Sequence, residues 1–147
     1  MHAELPRGLV VSCQAEGDSP FNAPGFIAAF AKAAELGGAS AVRICGVENI
    51  RAVRALVRLP IIGITKGEYA DGSVLITPTE DEARAVIEAG ADIVAADGTR
   101  RERPGGLTGT EFVRRLSGGL PVPLMADVST HEEGLLAARA GAALVAT

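Results

Sequence analysis

Lys66 closes the apolar run Ile61-Ile62-Gly63-Ile64-Thr65, and no other such run in the sequence ends in an amine. An amine drawn into a low-dielectric mouth has its charged form disfavoured, which makes it a usable proton acceptor or donor, or an imine former. The competing reading is a lysine that snorkels to a rim or pairs with Asp97. Arg43 sits inside another apolar run, Val42-Arg43-Ile44, where a guanidinium needs a carboxylate or a phosphate. A direct ligand contact and an internal salt bridge to a strand-end aspartate are both open for it. Asp127, between Leu124-Met125-Ala126 and Val128-Ser129-Thr130, is placed to orient a substrate hydroxyl or to help cap the following helix. Gln14 ends Ser12-Cys13-Gln14 and contributes an amide.

Other polar residues fit structural roles. Asp97 opens Asp97-Gly98-Thr99-Arg100-Arg101-Glu102-Arg103-Pro104, whose arginines read best as a solvated charged loop. Glu68 and Tyr69 follow Lys66 in a segment, 67–77, read as an irregular strand-to-helix connection. His2 lies at the terminus and His131 at the start of an outer helix, so neither is a candidate catalyst. Cys13 and Cys45 lack the spacing of a zinc site, so no metal is expected.

The elements that hold these groups show in the period of the apolar residues. Strand-like runs span Gly8 to Cys13, Ala41 to Cys45, Ile61 to Thr65, Ile93 to Ala96, Pro123 to Ala126 and Ala142 to Ala146. Helical spacing at i, i+3 and i+4 covers Pro24 to Leu36, Val47 to Val57, Thr79 to Ala89, Thr108 to Leu116 and Thr130 to Ala140. Strands and helices therefore alternate. Continuous apolar strands are buried on both faces, which is the habit of parallel sheets with helical crossovers. Leu36-Gly37-Gly38-Ala39, Ala89-Gly90-Ala91 and Ala140-Gly141-Ala142 recur at spacings of 52 and 51 between Gly38, Gly90 and Gly141, two βα units per period. These glycines serve as helix stops. Leu5-Pro6, Leu59-Pro60 and Val122-Pro123 stand where a proline at a strand's first residue costs no ladder hydrogen bond. Thr79 with Glu82 and Thr130 with Glu133 fit capping boxes.

The 147 residues are 48% hydrophobic and only 3% aromatic, which suits β-branched strands under small-residue helices, and one domain, 1–147, accounts for the length. The net charge of -4 and the scattered Lys and Arg leave no basic face for nucleic acid. No apolar run approaches the roughly 20 residues that span a bilayer, and nothing before Leu5 resembles a signal peptide. The expectation is a cytoplasmic, thiol-reduced protein. Six parallel strands make either an open doubly wound sheet or most of a barrel. Cys13-Gln14-Ala15-Glu16-Gly17 offers no GxGxxG after the first strand, so the (β/α)₈ TIM barrel is preferred. In such a barrel chemistry gathers at the carboxyl ends of the strands, where Gln14, Arg43, Lys66, Asp97 and Asp127 all fall. A complete barrel takes about 250 residues, so about six strands and five helices of it are expected here.

Taken together, several motifs are similar to one family. Gly8-Leu9-Val10-Val11-Ser12-Cys13-Gln14-Ala15, Val42-Arg43-Ile44 with Gly46-Val47-Glu48-Asn49-Ile50-Arg51, and Leu59-Pro60-Ile61-Ile62-Gly63-Ile64-Thr65-Lys66 resemble the opening half of N-acetylmannosamine-6-phosphate 2-epimerases. Ile76-Thr77-Pro78-Thr79, Ala89-Gly90-Ala91-Asp92-Ile93 and Met125-Ala126-Asp127-Val128-Ser129-Thr130 extend the resemblance over essentially the whole sequence.

The resemblance implies an isomerase of sialic acid and amino-sugar catabolism that interconverts N-acetylmannosamine 6-phosphate and N-acetylglucosamine 6-phosphate. It puts the catalytic lysine on Lys66 and substrate contacts on Gln14, Arg43 and Asp127, with no cofactor and a sugar phosphate as the small-molecule partner; a homo-oligomer is left open. Ile44-Cys45-Gly46 departs from the Ala-Asn-Gly common in the family. The family's second acid/base, a glutamate, and its phosphate-binding loops belong to strands beyond Thr147, and a chain without them is expected to be incompetent alone. Two other readings stand beside this one: an aldolase in which Lys66 forms a Schiff base, and a non-catalytic barrel fragment with open strand edges at Gly8 to Cys13 and Ala142 to Ala146.

Overall fold

A computed structural model describes residues 7–147; His2 and the Leu5-Pro6 strand entry lie outside the described residues. Among the described residues five helices and eight strands run in the order β1 (Val10–Cys13), α1 (Pro24–Leu36), β2 (Ala41–Cys45), α2 (Val47–Leu56), β3 (Ile61–Ile64), β4 (Lys66–Glu68), β5 (Val74–Ile76), α3 (Glu80–Glu88), β6 (Ile93–Asp97), α4 (Gly109–Gly119), β7 (Leu124–Asp127), α5 (His131–Ala140) and β8 (Leu144–Ala146). Six strands form one parallel sheet in the order β1-β2-β3-β6-β7-β8. Each strand pairs with its predecessor in that series and no crossover skips a position, which is the winding of a (β/α)₈ barrel and not of a doubly wound sheet. β1 and β8 are the outer strands of the sheet.

Two apolar clusters follow from the period-2 alternation of each strand. Val42, Ile44, Val94, Ala96, Leu124 and Ala126 turn outward onto Ile27, Ile50, Val53, Val86, Phe112 and Leu116 of the helices. Ile62, Ile64, Ile93, Ala95 and Met125 turn to the other, concave face and pack with Cys45, Ile76 and Leu144. Ile62, Ile64 and Ile93 are each at most 2% exposed, and burying such a side chain stabilises by about 1.5–3 kcal/mol. Gly63 lies on the outward face of β3 because there is no room for more: a Cβ there would stand 2.6 Å from that of Ala91.

The helix boundaries are set locally. Pro24 begins α1 at a position where an N–H would have no intrahelical partner, so proline's lack of one costs nothing. Thr130 and Glu133 form the expected full capping box, and Thr108 with Glu111 forms another. Thr79 caps α3 through the Glu82 amide at 3.2 Å, while the Glu82 carboxylate turns to the Thr79 and Thr65 hydroxyls. Gly38, Gly90 and Gly141 all have positive φ, between 87° and 111°, as helix stops require.

The segment after Lys66 differs from the sequence reading. In place of an irregular connection, β4 and β5 form an antiparallel hairpin in register Lys66↔Ile76, Gly67↔Leu75 and Glu68↔Val74. Its base is closed by Thr77, whose amide donates to the Thr65 carbonyl at 3.0 Å and whose hydroxyl accepts from the Thr65 amide. Thr77 is the one non-glycine residue at positive φ, 45°, among the described residues, and is fully buried. The hairpin escaped the sequence reading because its three-residue strands are too short to show a period.

Candidate active site

Strand parity places the side chains of Arg43, Cys45, Ile62, Ile64, Asp97 and Asp127 on the concave face, and Lys66 continues the Ile62, Ile64 series one step past β3. Ser12 stands opposite Arg43 in the ladder between β1 and β2, and Gln14 follows it; their side chains join, the amide donating to the Ser12 hydroxyl at 2.6 Å. The carboxyl ends of the strands thus deliver polar groups to a single mouth above an apolar floor.

Arg43 reaches across that mouth to Asp127. Its Nη1 donates to Oδ1 at 3.0 Å and its Nη2 to Oδ2, a fork-on-carboxylate pair with each side chain 20% exposed. β2 and β7 are separated by β3 and β6, so the two backbones lie roughly 14 Å apart along the sheet at about 4.8 Å per strand. The pair bridges this separation because the sheet curls, bringing the two strands closer along the chord than along the surface. The internal salt bridge open to Arg43 from sequence is formed, with Asp127 as its carboxylate, and the cap of α5 is Thr130 and not Asp127.

Lys66 pairs with Glu16 of the β1–α1 loop and not with Asp97. Its side chain is one quarter exposed, whereas that of Glu16 is 77% exposed. The hydrogen bond from Lys66, and then its charge, hold the Glu16 carboxyl below the usual glutamate range. Lys66 and Gln14 line a common cavity of about 540 Å³ with Glu16, Asn22, Cys45, Asn49, Glu68 and Val74. Asn49 orients this wall by donating to the Cys45 carbonyl at 2.8 Å. Burial pushes the Cys45 thiol above its ordinary pKa. Of the four candidate residues, Gln14 and Lys66 therefore share a cavity, while Arg43 and Asp127 form a separate pair on the same concave face.

The arginine-rich loop is the second departure from the sequence reading. Asp97 is 1% exposed and Arg103 6%. Asp97 Oδ1 accepts from the Thr99 amide and hydroxyl, and Oδ2 accepts from Arg101 Nη2 at 2.6 Å. Arg103 donates to the carbonyls of Asp97 and Thr99 at 2.6 and 2.7 Å and lies over the Phe112 ring, 5.2 Å from its centre. Arg103 thus builds the loop from inside, Arg101 braces Asp97 with its side chain half exposed, and Arg100 pairs at the surface with Glu132. The signal was present in the spacing, since an aspartate ending a strand with arginines four and six residues later has partners within reach. Glu133 also does more than cap α5: its carboxylate accepts from the Arg100 amide, tying the β6–α4 loop to the β7–α5 loop.

Among the described residues no group of three His, Cys, Asp or Glu side chains is placed to hold a metal ion, and no helix is long and apolar enough to cross a membrane.

Residues 27–147 match the model of a family described as "putative N-acetylmannosamine-6-phosphate epimerase". The chain belongs to this family. A relative named "putative N-acetylmannosamine-6-phosphate 2-epimerase" from Caldanaerobacter subterraneus subsp. tengcongensis is 48% identical over 145 residues, which are 98% of this chain and 61% of that protein. One of the same name from Synechococcus elongatus is 49% identical over 144 residues, 97% of this chain and 62% of its own length. The chain therefore spans about three fifths of the curated relatives it matches. The solved structure of the N-acetylmannosamine-6-phosphate 2-epimerase from Clostridium perfringens superposes with a TM-score of 0.83 at 37% identity, covering 92% of this epimerase-family chain and 59% of that one. A putative deoxyribose-phosphate aldolase from Coccidioides immitis, with a TM-score of 0.62 at 20% identity, shares the fold alone.

Proposed function

We propose that this epimerase-family chain contributes the lysine half of a site that inverts C2 of an N-acylhexosamine 6-phosphate, interconverting N-acetylmannosamine 6-phosphate and N-acetylglucosamine 6-phosphate in the cytoplasm. The observation that carries the reading is Lys66 on the concave face at the carboxyl rim, in one cavity with Gln14. In the open-chain sugar the C2 hydrogen is acidified by the C1 aldehyde. Lys66, once it has given up its own proton and left Glu16, takes the C2 proton, the C–H electron pair moves into C1–C2, and the carbonyl pair moves onto O1 as an enolate. Return of a proton to the opposite face of C2 gives the epimer, with no net oxidation and no cofactor. Gln14 supplies an amide donor and acceptor to the sugar. Arg43, held in orientation by Asp127, offers a guanidinium to the developing oxyanion, and Asp127 retains lone pairs for a hydroxyl. Glu16 occupies the amine until substrate arrives. The proton donor for the opposite face and the phosphate site fall to strands of the family that this chain does not span.

The reading is tested by incubating N-acetylmannosamine 6-phosphate in heavy water with the protein extended to the length of its relatives. Deuterium enters C2 with the wild type, and Lys66→Ala lowers the rate by about 10²–10⁴-fold, the usual worth of a positioned acid or base. Undiminished exchange in Lys66→Ala removes Lys66 from its role. A borohydride-stable adduct on Lys66 moves the chemistry to a Schiff-base aldolase.

A further inference from the structure

We propose that Arg101 is a positioning residue that clamps the β4–β5 hairpin, and through it Lys66, to the end of β6. The hairpin begins at Lys66, its strands are three residues each, and it stands as a separate two-stranded sheet. A ribbon of that size is marginal in isolation and needs external anchors. Leu75, 2% exposed, supplies an apolar one. Besides the Lys66–Glu16 pair, whose carboxylate is largely exposed, the polar anchor is the Val74 carbonyl, which accepts from Arg101 Nη1 at 3.0 Å.

The rest of the Arg101 fork is spent on rigid groups. Nη2 donates to Asp97 Oδ2 at 2.6 Å and Nε to the Thr99 hydroxyl at 3.2 Å. Asp97 cannot drift, because it ends a strand in the middle of the parallel sheet and its other oxygen faces Thr99 and Arg103. Arg103 is in turn fixed by the loop carbonyls and by Phe112 of α4. A continuous path therefore runs from the α4 core through Arg103, Asp97 and Arg101 to Val74. In the ladder Val74 lies opposite Glu68, two residues from Lys66, and Val74 and Lys66 line the same cavity. A lysine substituted for Arg101 keeps the charge beside Asp97 but cannot reproduce the fork, because a single ammonium does not span the aspartate, the hydroxyl and the carbonyl that three separate guanidinium nitrogens reach.

The consequence at the sugar rests on the epimerase reading; the clamp does not. The test compares wild type, Arg101→Lys and Arg101→Ala, with Arg101→Lys deciding if the alanine variant fails to fold. Amide hydrogen exchange of the 147-residue chain is expected to quicken about tenfold in the hairpin of Arg101→Lys, the worth of one hydrogen bond, with β6 and β7 amides unchanged. In the protein extended to its relatives' length, kcat for deuterium entry at C2 is expected to fall with KM within about twofold, because a displaced amine affects the proton transfer more than the binding. Unchanged hairpin exchange, or hairpin and core amides quickening together, overturns the clamp. A loosened hairpin with unchanged kcat overturns the positioning role. Absence of C2 exchange in the wild type counts against the epimerase reading alone, and the amide measurement still decides the clamp.

Discussion

Glu133→Gln tests how the mouth of the sheet is held together. The Glu133 carboxylate is 5% exposed. Its Oε1 accepts from the Arg100 amide at 2.9 Å, and its Oε2 accepts from the Ser129 amide, the Ser129 hydroxyl and the Thr130 amide at 2.9, 2.8 and 3.1 Å. Burial alone would raise this carboxyl, but the donors from Ser129, Arg100 and Thr130 outweigh it and bring the pKa from an ordinary 4.5 down to about 2. A folded-state pKa below the unfolded one contributes stability above the unfolded value and loses it as pH falls through the folded value. The window is therefore from about 4.5 down to about 2, and at neutral pH the carboxylate contributes stability on the order of 3 kcal/mol. Geometry gives a similar figure. A glutamine oxygen serves one side only, so its NH₂ faces a buried amide that then has no acceptor, a loss of about 1–3 kcal/mol, with the charge assistance of the other bonds lost as well. Urea unfolding of wild type and Glu133→Gln is expected to differ by about 3 kcal/mol at pH 7, and the difference to shrink by about 2 kcal/mol at pH 3. A gap below about 1 kcal/mol at pH 7, or one that does not change with pH, refutes the reasoning.

Two further outcomes follow from packing. Gly63→Ala places a methyl group 2.6 Å from the Ala91 Cβ and 3.1 Å from Ile50 Cδ1; it is expected to destabilise by about 1–3 kcal/mol, measured by urea unfolding, and a neutral result would mean that the β3 to helix contact is looser than described. Burial raises the pKa of both Cys13 and Cys45, so in the native state both thiols are expected to react with a disulfide reagent more slowly at pH 7.5 than after unfolding, Cys45 ahead of Cys13 because it borders the cavity; equal rates in native and unfolded protein would contradict this.

Local rules carried much of this protein into its sequence. Pairing between β1, β2, β3, β6, β7 and β8 follows from apolar runs separated by amphipathic helices, since strands buried on both faces with helical crossovers can only lie parallel. The Thr130–Glu133 capping box and the glycine stops depend on residues a few positions apart, so their partners are visible in the chain. Lys66 at a strand end was visible for the same reason, as the one amine that closes an apolar run. The partners of the polar groups were not visible. Arg43 meets Asp127 84 residues away, a contact that depends on how tightly the sheet curls, which is a property of all the strands at once. Lys66 takes Glu16, 50 residues earlier, because Asp97 is already occupied by Arg101 and Arg103. Composition made the loop from Asp97 to Pro104 look solvated; the tertiary structure buries it in part, because a strand-end carboxylate and the Phe112 ring together compensate a guanidinium taken out of water.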